Sequence, residues 1–166
     1  MNPNDKVEVI STATGRVGVT IPELRFKRVW EQKGAKIKID FGVLEEAIYD
    51  PGVEYLFNEG ILYIEDMKAK QALGLEPTVD DNGEAVLEPV NVIKLTDALM
   101  KRALGPMPVN EFKDWFCKLT YEQKQVVAQF AVENEITNFD KSDIIEEETG
   151  IKILSSIQLN RQSKEV

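Results

Sequence analysis

The chain has 166 residues, with 20 basic and 29 acidic side chains, so its formal charge is −9; it holds no histidine and one cysteine. Without imidazole there is no Ser-His or Cys-His dyad and no ordinary histidine zinc site, so chemistry would fall to carboxylates, lysines or a hard metal ion. An apolar content of 43% with 30% charged residues is that of a folded chain, and no apolar run approaches the ~20 residues of a membrane span.

Residues 1–6 are polar, carry no export signal and are expected as a flexible tail. Val7-Glu8-Val9-Ile10 alternates and predicts a strand; Arg16 to Ile21 predicts a second, with Ser11 to Gly15 as the hairpin connection. Pro22 ends that strand. Leu24, Phe26 and Trp30 then share one face of a third, and Lys36-Ile37-Lys38-Ile39 is a fourth with Ile inward and Lys outward. The period changes at Asp40, which is placed to cap a short helix with Val43, Leu44, Ala47 and Ile48. Asp50-Pro51 starts another helix, with Asp at the N-cap and Pro at the first helical position. Ile61 to Ile64 is a short strand, and Asp66 caps a helix closed by Gly74.

Residues 7–74 thus read as one α+β unit with five strands. Residues 75–89, rich in acids, prolines and turn formers, read as an acidic linker, with a hairpin tipped by Asn82-Gly83 as the alternative. Residues 90–160 are mainly helical, after a strand over 90–95 returning to the first unit. Thr96 caps the first helix, Thr120 to Gln123 is a capping box, and Asp140 or Ser142 caps a helix ended by Gly150. Ile153, Leu154 and Ile157 mark a last helix to Leu159, with 161–166 a polar tail. Residues 1–74 carry ten basic and twelve acidic side chains, whereas 75–166 carry ten and seventeen.

The basic run Arg25, Lys27, Arg28, Lys33, Lys36 and Lys38 spans fourteen residues and encloses Phe26 and Trp30. It reads either as the solvated face of two strands or as a contact surface, for protein ahead of nucleic acid because the net charge repels phosphate. The row Glu146, Glu147, Glu148 faces outward on its helix and is the acidic counterpart. Neighbouring carboxylates such as Glu45-Glu46 point about 100° apart on a helix and do not converge on one bond. Asp80 to Glu84 lacks the ligand alternation of a calcium loop, and Gly15 to Gly18 lacks the dinucleotide spacing. No catalytic residue, metal ligand or cofactor is expected. Cys117 is expected as a small buried hydrophobe, and Trp30, Tyr49, Tyr55, Phe57 and Tyr63 as core or as an exposed adhesive set.

Two resemblances add to this. Phe130 to Ile136 followed by Asp140 to Ile145, within residues 119–153, resembles the helix–extended-loop–helix modules of the HeH/LEM/SAP kind. Such modules often bind DNA through basic residues on the second helix; here Asp143 and Glu146 to Glu148 stand there instead. Arg16 to Leu24 and Ala47 to Phe57, with the acidic segment that follows, resemble small proteins encoded near the virion genes of tailed bacteriophages. That resemblance implies a virion component or assembly accessory, located in the virion or host cytoplasm. Its partners would be other protein chains, virion proteins and further copies of itself. The expectation is therefore a non-enzymatic α+β interaction protein. Two alternatives stand beside it: a regulatory nucleic-acid binder using the basic strand face, and a carboxylate- or metal-dependent enzyme.

Overall fold

Alternation in the first strand builds the centre of the structure, a computed structural model that describes residues 1–165. The chain is α+β, with an antiparallel sheet in the N-terminal part and helices in the C-terminal part. It divides into two compact units, residues 1–94 and 95–166.

In the first unit, β1 (Lys6–Ser11) lies between β4 (Lys36–Asp40) and β5 (Leu62–Ile64), antiparallel to both. Val7 and Val9 stand opposite Ile39 and Ile37, and Val9 stands opposite Ile64, so one sheet face is a continuous aliphatic layer. The other face carries Glu8 against Lys38 and Ile10 against Lys36 and Tyr63. β2 (Val17–Ile21) and β3 (Phe26–Trp30) form a separate two-stranded ribbon, joined by a 3-10 turn at Pro22–Leu24. The five strands match the sequence, but the hairpin expected between β1 and β2 is not formed. Ser11 pairs instead with residues 34 and 35: its N–H donates to the Ala35 carbonyl (3.0 Å) and its carbonyl accepts from Gly34 N–H (2.8 Å). The indole of Trp30 ties the ribbon to the sheet by donating Nε1–H to the Val9 carbonyl at 3.0 Å.

Three helices complete this unit: α1 (Phe41–Ala47), α2 (Pro51–Asn58) and α3 (Met67–Ala72). Asp50 and Asp66 cap α2 and α3 as expected, each accepting from two backbone N–H groups. Asp40 occupies the N-cap position of α1 but makes no side-chain cap; its carboxylate pairs with Lys6 at 2.6 Å. Segment 1–6, expected as a free tail, does the capping work: Phe41 N–H donates to Asp5 O (2.8 Å) and Gly42 N–H to Pro3 O (2.9 Å). A Cβ on Gly42 would stand 3.0 Å from the Pro3 Cβ, so glycine permits this approach. Leu44, Ala47, Val53, Phe57, Ala69 and Leu73 close the core over the aliphatic sheet face.

The second unit holds α4 (Asp97–Leu104), α5 (Val109–Cys117), α6 (Tyr121–Glu133), α7 (Phe139–Thr149) and α8 (Ile153–Lys164). The Thr120–Gln123 capping box forms as read, and Gly150 ends α7 in the left-handed conformation with φ 73°. Asn138, rather than Asp140 or Ser142, caps α7 by accepting from Lys141 N–H at 3.0 Å. α8 runs to Lys164, past the expected end at Leu159, and Arg161 anchors it through two hydrogen bonds to Glu135 at 3.2 and 2.9 Å. Phe112, Phe116, Val127, Ala131, Ile145, Ile153 and Ile157 are buried here.

Candidate functional site

The basic run is divided between two sheets. β3 carries Lys27 and Arg28 in the ribbon, while β4 carries Lys36 and Lys38 in the three-stranded sheet. Lys36 is already engaged by Glu8 at 2.8 Å, and that hydrogen bond and charge raise its pKa. Lys38 stands opposite the same Glu8 in the register. Arg28 lays its guanidinium 5.1 Å from the Phe26 ring centre and donates to the Lys27 carbonyl. Phe26 and Trp30 are buried, so neither offers a free ring for a base to stack on. Arg25, Lys27 and Arg28 are each exposed, at or just before the second strand of the ribbon. Arg25 holds φ 49°, a left-handed conformation better suited to glycine, so the backbone displays this cation under strain.

The acidic row on α7 is likewise divided. Glu148 binds Lys124 of α6 at 2.7 Å, and this bond lowers its pKa; Glu147 is exposed and Glu146 half-buried. Cys117 is exposed, contrary to expectation, with Sγ 3.9 Å from the Glu148 carboxylate. Lys141, which the module resemblance placed on a second helix, is fully buried. Its Nζ donates to the Ala103 and Gly105 carbonyls at 2.9 and 2.8 Å. It thus satisfies the C-terminus of α4 and favours that end of the helix dipole.

The unit boundary at 94/95 assigns the acidic segment to the first unit. Residues 1–94 carry eleven basic and seventeen acidic side chains, net −6, whereas 95–166 carry nine and twelve, net −3. Much of the acidic excess sits in residues 75–93, which hold five acids and no base. This segment, expected as a linker, takes the hairpin alternative. Val79 and Ala85 form an antiparallel bridge, Asp80 caps the turn by accepting from Asn82 and Glu84 N–H (both 2.9 Å), and Gly83 takes φ 80°. Gln71 of α3 donates to the carbonyls of Pro77 and Val86. The expected strand at 90–95 is absent because its N–H groups go to a side chain. The carboxylate of Glu76, 4% exposed, accepts from Val90, Asn91 and Val92. The result is a strap fixed along its length, with Lys94 paired to Glu65 at its end. Its outer side shows Val79, Leu87 (81% exposed) and Val90 (62%) among exposed Asp80, Asp81, Glu84 and Glu88.

Where the strap meets β5 and α3 lies a cavity of about 20 Å³, lined by Phe57, Leu62, Leu75 and Val92 together with Tyr63, Lys70 and Glu76. Lys70 is 3% exposed; its Nζ donates to the Tyr63 hydroxyl at 3.0 Å and lies 4.4 Å from that ring's centre. Burial pushes the Lys70 pKa down, against the pull of Glu76. Burial likewise pushes the Tyr63 phenol up, helped by Glu76 and Glu65. The sequence reading missed Lys70 and Glu76. Lys70 lies three residues from both Met67 and Leu73, on the apolar stripe of α3, which is the signal that marked it. Among the described residues no three Asp, Glu or Cys side chains gather as metal ligands. No family model matches the chain, and no curated protein or solved structure matches it.

Proposed function

We propose that this chain is a non-enzymatic interaction protein, a tailed-phage virion component or assembly accessory, that works through protein–protein contact. The observation that carries the contact reading is the strap at residues 75–94. Hydrogen bonds fix its backbone, yet it holds Val79, Leu87 and Val90 in solvent beside four acids. An ordered loop that displays apolar side chains rather than burying them fits a surface awaiting a partner. The charge of the strap favours a partner with cations around an apolar centre. The ribbon residues Arg25, Lys27 and Arg28 of a second copy offer such cations, as would a basic virion protein. The phage assignment rests on the resemblance of residues 16–24 and 47–57.

Sedimentation of the chain with the virion proteins, titrated with salt, tests this. Heavier species at low salt that dissolve at high salt are expected, and Leu87→Asp should remove them. A monomer unchanged under all of these conditions would dispose of the reading.

A further inference from the structure

We propose that Lys70 is a covalent capture site for a small neutral carbonyl compound, which enters the cavity beside Tyr63 and condenses with the Lys70 amine. Lys70 lines a cavity in which apolar Phe57, Leu62, Ile64, Leu75 and Val92 stand beside the polar Asn58, Tyr63 and Glu76. The volume of about 20 Å³ admits a molecule little larger than water. The surroundings select against ions: the Glu76 carboxylate opposes an anion, and the apolar walls and small volume oppose a hydrated cation. A neutral, polarised group of one or two heavy atoms fits both restrictions, and an aldehyde carbonyl is such a group. Burial favours the neutral, nucleophilic form of the amine.

The chemistry balances without a further reactant. The Nζ lone pair attacks the carbonyl carbon, the C–N bond forms, and the carbonyl oxygen becomes a hydroxyl as a proton passes to it from nitrogen. The Tyr63 hydroxyl, 3.0 Å from Nζ, is placed to hand a proton to that hydroxyl as it departs as water. The nitrogen gives up its remaining proton to restore the phenol, and an imine is left. Glu76, Glu65 and Tyr63 are the titratable groups acting on this site.

Lys141 separates the cavity from burial as a cause. It too is buried with a lowered pKa, but two backbone carbonyls hold its amine. This inference stands apart from the contact reading, since it concerns an amine beneath the strap.

The test treats the folded full-length chain with limiting formaldehyde and cyanoborohydride near neutral pH, then maps methylation over the fifteen lysines by mass spectrometry. Lys70 is expected to label several-fold faster than the exposed lysines, with Lys141 among the slowest, and the preference should vanish in urea. Tyr63→Phe, checked for folding by circular dichroism, should slow Lys70 labelling several-fold. Labelling of Lys70 no faster than the exposed lysines, or as slow as Lys141, would overturn the capture site. Unchanged labelling in Tyr63→Phe would overturn the role of the phenol.

Discussion

Trp30 and Trp115 make a matched pair, one in each unit. Both present an indole N–H inside the protein; Trp30 Nε1 donates to Val9, whereas Trp115 Nε1 is buried without a hydrogen-bond partner. Trp30→Phe is expected to lower stability by about 2 kcal/mol or more, from the lost bond and lost volume. Trp115→Phe removes an unsatisfied donor and is expected to stay within about 1 kcal/mol of the parent. Denaturant unfolding followed by circular dichroism separates them, and equal losses would contradict the assignment. Lys141→Met would strand the Ala103 and Gly105 carbonyls and is expected to lower stability by about 2 kcal/mol in the same assay. Both buried lysines were written in the sequence as charges on an apolar stripe: Lys70 between Met67 and Leu73, Lys141 three and four residues before Ile144 and Ile145. Glu76 carried no such mark, because its partners are backbone N–H groups fourteen or more residues away.

Helix caps were the most legible elements, since each is a local bond between a side chain and an N–H two or three residues on. Asp50, Asp66, Thr96 and Thr120 all cap as read. Asp40 failed because a distant residue, Lys6, competes for its carboxylate. Strand positions were legible from alternation, but strand partners were not. The turn-rich Ser11 to Gly15 signalled a local hairpin, while the sheet pairs β1 with β4 and β5 across 26 to 55 positions of chain. The strap was ambiguous for the same reason: its acids and prolines look solvated until Glu76 and Gln71 are seen to hold it. Glu76→Gln should weaken that hold by about 2 kcal/mol and speed hydrogen exchange at Val90 to Val92. Protection unchanged at those amides would contradict the role of Glu76. In the second unit, Lys124 and Arg161 lower the pKa of Glu148 and Glu135. A carboxyl with a depressed folded pKa binds fewer protons folded than unfolded. Its contribution is present above the ordinary carboxylate pKa and is lost as pH falls through the folded value. Glu135→Gln with Glu148→Gln should therefore flatten the acid limb of the stability profile, and more so at low salt because both carboxylates are exposed. An acid limb as steep as the parent's would count against these pairs.

Taken whole, the molecule pairs two small cores with an uneven surface. The composition pointed to contact rather than catalysis, and it placed the acidic excess in residues 75–166, an acidic linker included. The structure makes the acidic linker a fixed strap, within the same unit as the basic ribbon. The proposed contact between copies would set the strap of one against the ribbon of the next, a head-to-tail arrangement that repeats. The most direct measurement is hydrogen exchange on the chain at low salt, over a range of its own concentrations and with the virion proteins added. Protection growing over residues 78–90 as association proceeds, and reversed by salt, is the expected result. Association that leaves those amides exchanging as before, or no association at all, would contradict the contact role assigned to the strap.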